Sequence, residues 1–229
     1  WRTPFQPNIG ITTITRSKSG TIYSFGTETS PMRSTNNGRN WTQMSPLRNQ
    51  TPIKFHTWGN GKILAQYSLE EIKYSNDYGK SWQTPGLTGQ KLTAATTVEN
   101  NLALAGTENG LFKSTDYINW TPTSITNSVT GIDYNSGLIA LGIMTAPSGD
   151  PPPPPTYSFY ISIDYGATFT QKTYPNDGRP IVRIEIANDN AIFVTMGTDL
   201  WRSTDQGTTW QNMTLGIEEN VNDVALNSS

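Results

Sequence analysis

Short apolar runs separated by turn dipeptides organise this chain. Five such runs stand out: Thr21-Ile-Tyr-Ser-Phe25, Lys62-Ile-Leu-Ala-Gln66, Asn101-Leu-Ala-Leu-Ala105, Leu138-Ile-Ala-Leu-Gly142 and Ala191-Ile-Phe-Val-Thr195. Their mixed alternating and continuous apolar character predicts strands buried on one or both faces. A turn dipeptide precedes each run: Ser19-Gly20, Asn60-Gly61, Asn100-Asn101, Ser136-Gly137 and Asp189-Asn190. Gly and Asn tolerate positive φ, so each dipeptide predicts a hairpin turn.

A second marker runs in phase with the first. Ser34-Thr-Asn-Asn-Gly-Arg-Asn-Trp41, Ser75-Asn-Asp-Tyr-Gly-Lys-Ser-Trp82, Ser114-Thr-Asp-Tyr-Ile-Asn-Trp120, Ser162-Ile-Asp-Tyr-Gly-Ala-Thr-Phe169 and Ser203-Thr-Asp-Gln-Gly-Thr-Thr-Trp210 align as five copies of one box. Their period is about forty residues, in the range of repeat architectures. One unit reads strand A, turn, strand B, loop, strand C, box, strand D. Four antiparallel strands per repeat make a propeller blade, so the expected fold is an all-β propeller.

The pattern Ser-x-Asp-x-Gly-x-Thr-Trp resembles the Asp-box of the BNR-repeat propellers, a group that holds sialidases and many non-enzymes. Gly106-Thr-Glu-Asn-Gly-Leu-Phe-Lys-Ser-Thr-Asp116 and Gly197-Thr-Asp-Leu-Trp-Arg-Ser-Thr-Asp-Gln-Gly207 resemble that family over a wider window. The resemblance covers nearly the whole chain. Asn36, Asp77, Asp116, Asp164 and Asp205 read as structural: each side chain accepts backbone hydrogen bonds across a tight turn. The closing Trp41, Trp82, Trp120, Phe169 and Trp210 are expected to pack between neighbouring blades. The third box drops one residue and has Ile118 near the Gly position, which predicts an irregular turn. Five full repeats leave a D-like strand at Trp1 and an A-like strand over residues 221–226. Pairing of these two would close a partial sixth blade, favoured over a five-bladed ring. The start at Trp1, inside the pattern, suggests a single propeller domain, residues 1–229, cut from a longer protein.

Composition narrows the partners. Of 229 residues only 15% are charged and the formal net charge is −2, so nothing in the bulk electrostatics favours nucleic acid. The 16 Lys and Arg are scattered, and no apolar stretch is long enough for membrane insertion. With no Cys, thiol catalysis and Cys-ligated metals are excluded. An extracellular or virion surface location fits this composition, and the cytoplasm stays open.

The resemblance places the boxes on one face and puts sites on the opposite face, in the B–C and D–A loops. Glu28, Glu70, Glu71, Glu108, Asp150, Asp177, Asp199, Glu218 and Glu219 fall there. Gly-Thr-acid recurs at Glu28, Glu108 and Asp199, and a ring of such carboxylates would suit Ca²⁺; solvated turn acids are the plainer alternative. An insertion, Thr145-Ala-Pro-Ser-Gly-Asp-Pro-Pro-Pro-Pro-Pro-Thr156, favours a stiff polyproline II strand, either a recognition finger or a spacer. Tyr67, Tyr157 and Tyr174 could stack on sugars. The candidate ligand-binding residues are therefore Tyr67, Glu70, Glu71, Glu108, Asp150, Pro153, Tyr157, Tyr174 and Arg179.

A sialidase-like glycosidase would need an Arg cluster for the substrate carboxylate. Only Arg48 and Arg179 fall clearly in site-face loops, and nothing selects a catalytic carboxylate pair. No catalytic residue is assigned. The expectation is a non-catalytic binding propeller for a cell-surface receptor or glycan, such as the head of a viral or phage attachment spike or a secreted bacterial protein. An intracellular assembly scaffold and a sialidase-like hydrolase are the alternatives; the oligomeric state is left open.

Overall fold

The structure of the chain, a computed structural model, describes residues 11–17, 19–26, 31–45, 54–67, 71–87, 89–99, 101–175, 178–213, 216, 219–221 and 224. These residues are all-β apart from one 3₁₀ turn, Gly59–Gly61. They fall into two compact units: residues up to Gln90 together with Tyr117–Asn119, and Lys91–Asp116 together with residues from Trp120 onward. Among the described residues no helix is long and apolar enough to cross a membrane.

The first unit holds two sheets. β1 (Ile11–Arg16), β2 (Ile22–Gly26), β3 (Met32–Ser34) and β4 (Thr42–Gln43) form an antiparallel meander in chain order. β5 (Lys54–Thr57), β6 (Ile63–Gln66) and β7 (Ile72–Ser75) form the second sheet, which is three-stranded among the described residues. The expected fourth strand there shrinks to a single bridge between Tyr74 and Gln83. Pro85 follows two residues on, and its missing N–H cannot extend a ladder.

The second unit holds three four-stranded meanders. They are β8 (Leu92–Thr97) to β11 (Thr121–Pro122), through β9 (Ala103–Thr107) and β10 (Gly110–Ser114); β12 (Ser128–Asn135) to β15 (Thr170–Lys172), through β13 (Leu138–Thr145) and β14 (Thr156–Ser162); and β16 (Arg183–Ile186) to β19 (Gln211–Asn212), through β17 (Ile192–Met196) and β18 (Asp199–Ser203). The first strands of successive sheets lie side by side, β12 against both β8 and β16. Side chains bridge them: the Ile186 N–H donates to Asp133 Oδ2 at 2.8 Å, and Asn135 Nδ2 donates to the Ile186 carbonyl at 3.0 Å. Ile139, Leu141, Phe159, Ile192 and Val194 are completely buried between sheets. Burying each such side chain contributes about 1.5–3 kcal/mol.

The hairpin turns form as the dipeptides predict. Ser136 and Gly137 both take positive φ, 46° and 88°, as do Asn60 and Gly61, 60° and 78°. The expected pairing of residues 1–4 with 221–226 lies outside the described residues.

Every box links a C strand to the D position, and its chemistry is local. In the fifth, the Gly207 N–H donates to Ser203 Oγ at 2.9 Å, and Ser203 Oγ donates to Asp205 Oδ1 at 2.8 Å. Asp205 also accepts from the Thr209 N–H at 2.8 Å and the Thr209 hydroxyl at 2.6 Å. The same set recurs around Asp77 and Asp164, and Asn36 makes the backbone part of it, accepting from the Asn40 N–H at 2.8 Å. Bonds from the Thr168 hydroxyl and N–H hold the Asp164 carboxyl at about 2, and those from Thr209 do the same for Asp205. For Asp77, burial pushes upward but bonds from Ser81, Ser75 and Lys80 outweigh it, and the carboxyl again sits at about 2.

Two features of the box exceed the sequence expectation. The residue before the glycine is itself left-handed, with φ of 57° at Asn37, 63° at Tyr78, 57° at Tyr165 and 56° at Gln206, and so is Tyr117 before Ile118 in the third box, at 65°. The glycine is also a packing element, because a Cβ on Gly207 would meet the Phe159 ring at 2.7 Å. The closing aromatics do reach the preceding sheet within each unit. Trp82 Nε1 donates to the Ser45 carbonyl at 3.3 Å, and Trp210 Nε1 donates to the Thr173 carbonyl at 2.9 Å while its ring meets Phe159 edge-on.

The third box is irregular, as its missing residue predicts. Ile118 is absent from the left-handed residues, and Tyr117 is only 4% exposed. The Tyr117 ring stacks on Tyr74 with centroids 5.5 Å apart, touches Trp58, and carries Lys62 Nζ 4.1 Å from its centroid.

Candidate functional site

In every sheet the B–C and D–A connections lie at the end opposite the box. In the second unit two B–C connections are tight, residues 108–109 and 197–198, and the third is the long excursion between Thr145 and Thr156. Thr145 pairs with Thr156 at its base, so β13 and β14 carry it as one extended hairpin. Asp150 and Pro153 are exposed on it.

At the foot of this arm four of the expected residues come together. The Tyr157 and Tyr174 rings stack with centroids 6.3 Å apart and planes 23° from parallel. The Tyr174 hydroxyl donates to the Arg179 carbonyl at 2.6 Å. Burial pushes that hydroxyl well above the ordinary tyrosine range, so it stays a neutral donor. The Arg179 guanidinium in turn donates to the Met196 carbonyl at 3.2 Å and forms an ion pair with Asp199. Arg179 thereby clamps the 197–198 turn, and the Val221 N–H donates to the Gly197 carbonyl at 2.7 Å from the far side.

Gly197 is a residue that sequence reasoning passed over. It has φ of 62°, which favours glycine, and a Cβ there would sit 3.0 Å from Arg179 Nη1, at the tip of the clamping side chain. The repeated Gly-Thr-acid triplet was the signal, but its members differ in role. A Cβ on Gly106 would instead meet Val129 at 2.6 Å, which makes that glycine a packing residue.

The other expected residues do not join this group. Glu108 pairs with Lys91. Glu71 lies 3.8 Å from Lys73, and its carbonyl accepts from the Tyr67 N–H. Tyr67 is 8% exposed and packs against Ala65, Phe55 and Trp82 as part of the first unit's core. Glu28 and Glu70 lie outside the described residues. Among the described residues no group of three or more His, Cys, Asp or Glu could hold a metal ion. Of the carboxylates expected to hold Ca²⁺, Glu108 and Asp199 each already face a cation.

No family model and no curated protein matches this sequence. Solved structures do. Virginiamycin B lyase from Staphylococcus aureus superposes with a TM-score of 0.68 at 15% identity, covering 95% of this chain and 74% of that one. YCF48 from Cyanidioschyzon merolae gives 0.61 at 18% identity, covering 93% and 74%. An ancestral GH74 enzyme gives 0.59 at 19% identity over 72% of this chain, which spans only 24% of that enzyme. The chain has the β-propeller fold. At these identities the likeness carries the fold alone, since one scaffold hosts many unrelated sites.

Proposed function

We propose that this chain is a non-catalytic Asp-box propeller that binds a cell-surface ligand through its B–C and D–A loops. The observation that carries the reading is the exposed arm over residues 146–154, held on the β13–β14 hairpin above the Tyr157, Tyr174 and Arg179 cluster. Binding residues concentrate on loops that a rigid sheet scaffold positions. A glycan is the favoured ligand class, because stacked tyrosines beside an arginine and a carboxylate offer ring faces and charged hydrogen-bond partners together. The head of a viral or phage attachment spike, or a secreted bacterial protein, is the setting this reading implies.

A second reading is an assembly protein that holds a peptide. It is favoured by the likeness to YCF48 solved bound to a D1 peptide, with a TM-score of 0.61 at 15% identity.

The test is fluorescently labelled protein on a printed glycan array and on bacterial and animal cell panels, beside a variant whose 146–155 segment is replaced by Asn-Gly. Saturable binding by the intact chain that the shortened variant loses supports the surface-ligand reading. Equal binding by both, or turnover of an arrayed glycan, overturns it.

A further inference from the structure

The arm has a chemistry that limits what can hold it. Every residue from Thr145 to Pro154 is exposed, and Pro152–Pro155 form neither turn nor strand. Five consecutive residues, Pro151–Pro155, have no N–H, so the segment offers carbonyl acceptors and ring faces but no backbone donor. It cannot add itself to a sheet edge, because strand addition needs donors as well as acceptors. Proline fixes φ near −65°, which favours the three-residue polyproline II turn. Pro151 and Pro154 then lie one turn apart on one edge, and Pro152 and Pro155 one turn apart on the next. Such a segment is already ordered, so little conformational entropy is lost when it docks. Its foot is fixed as well, through the Tyr157 and Tyr174 stack and the Tyr174 bond to the Arg179 carbonyl. Asp150 is the only charged side chain between Thr145 and Tyr157.

We propose that Pro151–Pro155 is a preformed polyproline II ligand that docks into an aromatic-lined groove of a partner protein. The groove supplies ring faces for the proline ridge and indole N–H or phenol O–H donors for its carbonyls, with a basic side chain opposite Asp150. The proposal goes beyond the binding reading above, since its occupant is a groove of a protein and not a glycan. The physical claim concerns the arm alone.

The experiment titrates the whole unlabelled chain into a ¹⁵N-labelled WW domain, a module whose aromatic groove takes proline-rich segments. Saturable shifts are expected, including the indole N–H of the groove tryptophan. A variant with Pro151 to Pro155 all changed to Ala keeps the arm length and is expected to bind at least tenfold more weakly. Its melting temperature should match the parent, because the arm lies outside the core. Asp150→Asn is expected to weaken binding a few-fold at low salt and not at high salt. Absence of shifts at protein concentrations up to about 1 mM overturns the proposal. Equal binding by the five-alanine variant overturns it too. The Asn-Gly variant separates the two claims. If it loses cell binding while the WW domain ignores the parent chain, the surface-ligand reading stands and the polyproline proposal falls. If the WW domain binds the parent and cell binding survives the deletion, the reverse holds.

Discussion

The two ends of the same sheets satisfy their polar groups by different means. At the box end, Ser203 and Asp205 find their partners within the eight residues from Ser203 to Trp210. At the opposite end, Arg179 reaches Asp199 and the Met196 carbonyl, while Tyr174 closes in from the same loop as Arg179 and Val221 from beyond β19. The box turn carries its hydrogen bonding within itself and can be copied from sheet to sheet. The loop end depends on which segments the fold brings together, so each sheet's loops differ. A repeat can hold the first constant and vary the second, which suits a binding scaffold.

The sharpest way to break the box end is to fill its glycine. Gly207→Ala adds a Cβ 2.7 Å from Phe159 at φ of 77°, and strain and overpacking together should cost about 2–5 kcal/mol. Urea unfolding reads this as a lower midpoint. Gly178→Ala, at φ of 108° with nothing within 4 Å, should show the smaller strain effect alone. Equal losses at the two positions would remove the packing role of the box glycine.

Next in size is the serine hub. Ser203→Ala leaves the Gly207 N–H without its acceptor and takes a donor from Asp205, with an expected cost of about 1–3 kcal/mol in the same assay. A cost indistinguishable from zero would mean that the aspartate alone organises the turn.

The acid response follows from the three lowered carboxyls. Their folded value of about 2 lies below the ordinary 3.8, so each contributes stability that is full above the unfolded value. That stability is lost as pH falls through the interval from 3.8 to about 2. Asn36 already fills the first box without a titrating group. Asp205→Asn should flatten the fall in melting temperature over this interval, and Asn36→Asp should steepen it. Identical pH profiles for parent and both variants would mean that the box bonds do not distinguish carboxylate from carboxyl.

The loop end should answer least in stability. Replacing 146–155 by Asn-Gly removes nine exposed residues and the half-buried Pro155, and the midpoint should move by roughly 0.5 kcal/mol or less. A large loss would make the arm a structural strap and weaken the contrast between the two ends.

Much of the fold could be read from residues because its signals are short-range. The strand order in each sheet, the positive φ at Ser136 and Gly137, and the acceptor role of Asp205 depend on neighbours within one repeat. The candidate site could be read only in part. Tyr157, Tyr174, Arg179 and Asp199 were expected at one end of the sheets, and the structure joins them, with Tyr157 inside β14 and Asp199 opening β18 rather than lying in loops. Their order of contact was invisible, since Arg179 and Asp199 belong to different loops of the chain. Tyr67 shows the opposite outcome: its loop position suggested an exposed ring, yet the apolar neighbours Phe55 and Trp82 draw it into the core. Glycines misled in a similar way, because their φ is a local property while the atom that a Cβ would strike, Met44 for Gly79 or Phe159 for Gly207, belongs to another sheet.

The sequence by itself determined the repeat, the four-strand grammar, the box turns and the stiffness of the proline arm. Each of these follows from side chains acting on their own backbone, through φ preference, missing N–H groups and hydrogen bonds a few residues long. Only the tertiary structure decided which loop acids are matched by a cation, which tyrosine is buried and which are stacked, and that Arg179 is what a side chain at Gly197 would meet. Those outcomes depend on distances between residues remote in sequence, and such distances are set by the packing of one sheet on the next.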